Sequence, residues 1–360
     1  MSNPYKNIDD YSFWSRAMTT PAPAHVDPVV RASHIGFDDK VATMGSCFAQ
    51  HLARHIQRSG LNYYVAESAP DGMNDALARE RNYGVFSARY GNVYTVRQAV
   101  QLFDRAFGGF EPVDDVWQRG ERFVDAFRPQ IEPEGWESAA AVRLAARTHL
   151  NDVRDVFARC DWFVFTLGLT EAWRSKSDGA VYPMAPGVAG GAFDAERYEF
   201  INFTAQQVTD DLVELIQRIR VVNPGVRILL TVSPVPLIAT YEKRHVWVST
   251  TYSKAALRVA ADEAERRFEE VIYFPSYEII TSPAAGGKYY ADDLRQVTDL
   301  GVKHVMRLFG KHFLPVGSEN QVGSTPAVVS TSYLPLDEAG VVCDEEVIET
   351  ALRESGFNVK

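Results

Sequence analysis

The stretch Lys40-Val41-Ala42-Thr43-Met44-Gly45-Ser46-Cys47-Phe48-Ala49 decides how the rest of the chain is read. Lys40 to Met44 reads as a short strand, and Gly45-Ser46-Cys47 as a tight turn after it. Phe48, Leu52 and Ile56 follow at i, i+4 spacing, which makes one face of a helix running to Ser59 and stopped by Gly60. Further downstream the same alternation recurs. An amphipathic helix over 147–159 feeds the unbroken apolar run Trp162-Phe163-Val164-Phe165-Thr166-Leu167, ended by Gly168. Thr204 caps a helix through Leu212, Leu215 and Ile219, and Asn223-Pro224-Gly225 turns the chain into a strand over 227–232. A helix over 253–268 leads to a strand over 271–274, and Thr298 caps a last helix through His304 and Leu308. Strands that are apolar throughout and alternate with helices belong to a parallel sheet covered on both faces. The expectation is that 41–44, 162–167, 227–232 and 271–274 are neighbouring parallel strands joined by right-handed crossovers.

The remaining stretches carry less signal. Between Asn62 and Gly135 the sequence shows a helix over 96–106 and two turns, Asn82-Tyr83-Gly84 and Arg89-Tyr90-Gly91-Asn92. Residues 173–202 are rich in Gly and Pro and read as a long surface loop. Beyond Pro315 the composition shifts to Ser, Gly and Val, so 1–315 reads as one α/β domain. Residues 316–360 read as a tail, with a linker over 316–333 and a short helix over 344–353.

Composition narrows the function. The 360 residues are 46% hydrophobic, enough for a sizeable core, and carry 37 Lys+Arg against 47 Asp+Glu, a net charge of −10. That balance argues against a nucleic-acid partner, and the absence of a long apolar run argues against a membrane one. The partner expected is a small-molecule or carbohydrate substrate. The polar N-terminus lacks a secretory h-region, and Cys47, Cys160 and Cys343 are odd in number and outside any C-x-x-C. A reducing compartment, the cytoplasm, is the expectation, without a disulfide framework or metal site.

In open α/β sheets ligands bind beyond the carboxyl ends of the strands, so the residues just after each strand are the site candidates. Gly45-Ser46-Cys47 places two nucleophile-capable side chains at the positive end of a helix, where a thiolate is favoured and backbone N–H groups can hold an oxyanion. The other reading of the same turn makes Ser46 an N-cap and Cys47 a small buried filler. His245 lies in the loop between the strand at 227–232 and the helix at 253, at the same edge. His51 stands one turn beyond Cys47, and His304 is set too far into its helix for more than a structural role. Arg128 and Arg295 are each read either as an anion clamp or as half of a structural ion pair. Glu171 either orients a base or caps a helix.

Gly45-Ser46-Cys47-Phe48-Ala49 is the signature string of the GSCFA family, grouped with the SGNH (GDSL-like) hydrolase superfamily. The resemblance extends through Asn82-Tyr83-Gly84, residues 165–173 (Phe165 to Trp173), Thr231-Val232-Ser233-Pro234-Val235 and residues 273–278. It implies a three-layer α/β/α, flavodoxin-like fold around a central parallel sheet, and acyl-transfer chemistry on esters. Carried over residue by residue, Gly45 matches the superfamily's Gly-x-Ser motif and Cys47 falls in the nucleophile position, with Ser46 as fallback. Gly84 corresponds to the isolated Gly that donates its N–H to an oxyanion. Gly168 matches the Gly-x-Asn-Asp motif, with Thr170 and Glu171 in place of Asn-Asp. Asp293 fills the Asp of the late Asp-x-x-His, but its partner is Gln296, which is no base.

The expected function is therefore an esterase or O-acyltransferase acting on a saccharide or other polar ester. In that reading Cys47 is the nucleophile, His245 the base and Asp293 its orienter. Gly84, Gly168, Thr170, Glu171 and Arg295 hold the oxyanion or substrate. It needs no bound cofactor, with acetyl-CoA or another acyl donor entering only for a transferase. The alternative, favoured by Gln296, is a non-catalytic SGNH-fold module that binds a glycan or acyl ligand.

Overall fold

The computed structural model describes residues 3–315 together with 347, 348 and 350. In chain order, β1 (Val41–Gly45) leads through the Ser46–Cys47 turn into α1 (Ala49–Arg58). Helices α2 (Asp75–Glu80) and α3 (Val96–Phe107) precede an antiparallel hairpin of β2 (Val116–Arg119) and β3 (Arg122–Asp125). Helix α4 (Ala139–Arg159) delivers the chain to β4 (Trp162–Leu167). Strands β5 (Glu171–Ser175), β6 (Val181–Tyr182) and β7 (Tyr198–Asn202) follow, then α5 (Ala205–Val222), β8 (Arg227–Val232), α6 (Val246–Arg267) and β9 (Val271–Tyr273). Helices α7 (Ser276–Thr281) and α8 (Asp299–Phe313) close the fold.

The four expected strands pair in parallel in the order β1-β4-β8-β9. Beyond β1 the chain at Tyr63 adds a one-residue parallel bridge to Val41, tied by Val41 N–H to the Asn62 carbonyl and Tyr64 N–H to the Val41 carbonyl. Counting that bridge, the lateral order is the 2-1-3-4-5 of doubly wound flavodoxin-like sheets.

Alternation along each strand explains why both faces are covered. Ala42, Met44, Phe163, Phe165, Leu167, Ile228, Leu230 and Val271 point into one apolar layer with residues of α3, α4, α5 and α6. Val41, Trp162, Val164, Leu229 and Ile272 point into the opposite layer, with residues of α1, α7 and α8. Each fully buried large side chain contributes about 1.5–3 kcal/mol of transfer free energy, so two dry faces hold the sheet rigid beneath its loops. This is the three-layer α/β/α architecture expected from the sequence.

Two boundaries differ from the sequence reading in ways that matter for function. Residues 173–202 are not a loop: β5, β6 and β7 form a separate antiparallel sheet in the order β6-β5-β7. Strands β5 and β7 are only partly buried and β6 is two residues long, so they lack the apolar runs that mark the central sheet. Helix α6 begins at Val246, seven residues before the expected start, and His245 is its N-cap. The linker over 316–333 and most of the helix over 344–353 lie outside the described residues. No helix among the described residues is long and apolar enough to cross a membrane.

The fold also holds three imidazoles in surroundings that disfavour their charge, His149 buried and His51 and His55 half-buried. His149 meets Glu67 at 2.6 Å, and burial with the nearby Arg128 charge lowers it to about 4 against the pull of Glu67. Burial and Arg54 lower His51 to about 4, and burial and Arg58 do the same to His55. All three folded values lie below the ordinary 6.5, so their contribution is complete above pH 6.5 and is lost as pH falls toward 4. Across that window the unfolded chain gains up to three more protons, which is about 4 kcal/mol of stability lost per pH unit at its steepest. Urea unfolding midpoints measured between about pH 7 and 4 should fall steeply, and a flat profile would refute the burial of these rings as neutral groups.

Candidate active site

The turn after β1 is shaped by Gly45, whose φ of 137° opens the backbone at the strand end. Ser46 N–H donates to the Thr166 carbonyl at 3.1 Å, so the turn is pinned to β4. Val93 N–H donates to the Gly45 carbonyl at 2.8 Å, which lays Asn92–Tyr94 over the same edge. Three short bonds from Ala49, Gln50 and His51 back to Ser46, Cys47 and Phe48 then wind the chain into α1. Ser46 and Cys47 are buried, and the Ser46 hydroxyl has no hydrogen-bond partner among the described residues. Cys47 forms no disulfide among the described residues.

Across the turn stands the loop after β4. Gly168 and Leu169 N–H groups both donate to the Tyr94 carbonyl, at 3.2 and 2.8 Å. A Cβ at Gly168 would stand 2.9 Å from that carbonyl oxygen and 3.1 Å from Ser46 Cβ, so only glycine lets the two loops touch. The Gly168 carbonyl in turn accepts a 2.7 Å hydrogen bond from Lys254 Nζ. Lys254 projects from α6 and is 1% exposed. Burial lowers its amine to about 7, with the Cys47 charge opposing and the Arg295 charge assisting that shift. Thiol, amine and guanidinium are thus electrostatic neighbours at the carboxyl edge of the sheet.

The residues singled out from the sequence fall into three groups. Cys47, Ser46 and Gly168 meet here, and the Arg295 charge reaches Lys254. Thr170 and Glu171 are adjacent but engaged elsewhere: the Thr170 hydroxyl donates to Asn202 Oδ1 at 2.7 Å, and its N–H donates to Ser253 Oγ at 3.0 Å. With its one hydrogen engaged, Thr170 braces the loop and does not serve an oxyanion. Glu171 accepts from Thr240 Oγ1 at 2.7 Å, and burial raises its carboxyl, so it ties the β8–α6 loop to β5.

The third group needs correction. The His245 ring is exposed and its Nδ1 accepts the Trp247 N–H at 3.1 Å, so it is a helix cap with its face to solvent, not a base. Exposed Asp293 accepts the N–H groups of Arg295 and Gln296, both at 2.9 Å, and orients no imidazole. It builds the turn, with Leu294 at a φ of 55°, that delivers Arg295. Gly84 is also misplaced: its carbonyl accepts from Gln57 Nε2 at 3.2 Å, near the far end of α1. Gln57 lies about 12 Å along the helix from Ala49, so Gly84 does not serve an oxyanion at Cys47. The other Tyr-Gly turn, Tyr90-Gly91-Asn92, leads into the active edge, where Asn92 Oδ1 accepts from Gln50 in the first turn of α1. Arg128 pairs with Asp125 at 2.8 Å and His304 bonds Tyr289 and Val26, so both are structural.

The sequence model of the GSCFA family matches residues 40–309, three quarters of the chain. The chain belongs to the GSCFA family. Among solved structures, the GSCFA chain shares 13% identity with a carbohydrate esterase family 2 enzyme plus carbohydrate-binding domain from Corynascus thermopiles (Myceliophthora fergusii). That alignment covers 79% of this chain and 68% of the other, at a TM-score of 0.28. An acetyl xylan esterase from the rumen bacterium Butyrivibrio proteoclasticus shares 12% identity over 69% of this chain and 56% of its own, at a TM-score of 0.24. No curated protein matches in sequence.

Lys254 is the site residue that sequence reasoning missed in this GSCFA protein. The signal was its helical phase. Lys254, Leu257, Ala261 and Ala264 follow at i, i+3, i+7 and i+10, and every one of them is buried. A lysine in the apolar stripe of a helix reads as a buried amine from its spacing alone.

Proposed function

We propose that this GSCFA protein is an acyl-transfer enzyme, an esterase or O-acyltransferase acting on a saccharide or other polar ester, with Cys47 as the nucleophile. The observation that carries the reading is a buried thiol at the strand-to-helix turn, with a buried amine bonded to the adjoining Gly168 loop and subject to the thiol's charge. A thiolate there attacks the ester carbonyl, the alkoxide departs, and the acyl group passes through a thioester to water or a second hydroxyl. Arg295 offers a cationic contact for a polar substrate or for an acyl donor such as acetyl-CoA. A nucleophilic thiol that must stay reduced suits a reducing compartment, the cytoplasm.

The test is intact-mass analysis after incubation with 4-nitrophenyl acetate and, separately, with acetyl-CoA. One acetyl adduct is expected on the wild type and on Ser46→Ala, and none on Cys47→Ala. An adduct lost only in Ser46→Ala would move the nucleophile to Ser46. No adduct in any arm would leave the non-catalytic, ligand-binding module as the reading.

A further inference from the structure

The sequence offers no histidine where a hydrolytic triad needs one: Gln296 stands in its place and His245 faces solvent as a helix cap. The geometry points instead to Lys254, the enclosed amine bonded to the Gly168 carbonyl, as the proton carrier of the site, which takes the Cys47 proton and returns it to the leaving group. This rests on the acyl-transfer reading for its chemistry, but the coupling between amine and thiol stands on its own.

Three observations carry it. Lys254 Nζ is fixed by its 2.7 Å bond to the Gly168 carbonyl, and Gly168 is the residue that touches the Ser46 side of the nucleophile turn. The side chain is fully enclosed, and among the described residues no carboxylate is one of the groups that set its charge. The charges that act on it are that of Cys47, at the head of α1, and that of Arg295, in the turn before α8. A buried amine whose neighbour is a guanidinium is driven to the neutral form, and burial brings Lys254 to about 7. Proton exchange with a group that titrates near the working pH is the most efficient.

The chemistry balances. Neutral Lys254 uses one N–H on the Gly168 carbonyl and its lone pair on the Sγ proton. The thiolate forms a C–S bond to the ester carbonyl carbon, and the tetrahedral oxyanion collapses with cleavage of the C–O bond. The departing alkoxide takes its proton from the Lys254 ammonium, leaving a thioester and a neutral amine. Lys254 then takes a proton from water or an acceptor hydroxyl, whose oxygen attacks the thioester carbon. The C–S bond breaks, and the proton returns to Sγ. The working pair therefore holds one proton, shared between thiol and amine, and its titration belongs to the pair. Arg295 acts on Lys254 through its charge, which favours the neutral amine.

The test reads the coupling without a substrate. In protein labelled with ¹³C-lysine, the Lys254 Cε resonance should titrate with a midpoint near pH 7, and that midpoint should fall in Cys47→Ala, where the thiolate no longer favours the ammonium. Arg295→Gln should raise it. In Lys254→Met, iodoacetamide labelling of Cys47 at neutral pH should drop by about tenfold or more, the effect of one pH unit on thiolate. A Lys254 resonance that titrates as an ordinary lysine, or that ignores Cys47→Ala, overturns the proposal even if Lys254→Met fails to fold. Coupling without an acetyl adduct would sink the acyl-transfer reading and leave the pair standing. An adduct without coupling would do the reverse.

Discussion

Gly45→Ala should yield no stable folded protein, or one weakened by more than about 3 kcal/mol. The residue sits at a φ of 137°, a region that side chains rarely enter. An added Cβ would overlap the Thr166 carbonyl oxygen and lie 2.8 Å from the Thr166 carbonyl carbon and nitrogen. All three are backbone atoms of β4, so no rotamer change relieves the clash. Relief requires opening the Gly45–Thr166 pair and the Ser46 N–H bond to Thr166, which together pin the Ser46–Cys47 turn to the sheet. Gly225→Ala is the control, because its Cβ would meet nothing within 4 Å. Urea unfolding of both variants checks this, and a Gly45→Ala midpoint equal to that of Gly225→Ala would refute the turn geometry.

That contrast shows what a sequence exposes. The central sheet was legible because Trp162–Leu167 and Arg227–Val232 are buried on both faces and read as continuous apolar runs. The Ser46–Cys47 turn was legible because Gly-Ser-Cys follows such a strand directly. The sheet of β5, β6 and β7 was not, since Glu171–Ser175 and Tyr198–Asn202 mix buried with half-exposed positions among Gly and Pro. Gly84 is not separable from Gly91 by local sequence. Both follow a tyrosine in a turn, and only the long-range bond from Val93 N–H to the Gly45 carbonyl separates them. His245 misled because its loop position was right and its helix boundary was wrong: with α6 starting at Val246, the ring is consumed as a cap. Lys254 went unread because a lysine is taken for a solvated face unless its helical phase is checked against Leu257 and Ala261.

Cys47 should react with a small electrophile at neutral pH while Cys160 stays unlabelled, a contrast of about a thousandfold or more. The arithmetic comes from Cys160. Burial, with Asp161 beside it, pushes its thiol from 9.0 up to about 12, and three pH units leave it about a thousandth of an ordinary thiol's thiolate. It also lies at the C-terminal end of α4, where the helix dipole opposes negative charge, and is 1% exposed. Cys47 has the opposite surroundings. It precedes the first turn of α1, where the dipole favours the anion, and the Arg295 charge acts at the same edge. Both thiols are buried, so access alone does not produce the contrast, and a compact reagent such as iodoacetamide keeps sterics from deciding it. Residue-resolved mass spectrometry over about pH 6 to 9 separates the two peptides, and the Cys47 rate should climb through the region where Lys254 loses its proton. If Cys160 labels first in the folded protein while Cys47 stays silent across that range, Cys47 is a packing residue and the nucleophile must be sought at Ser46.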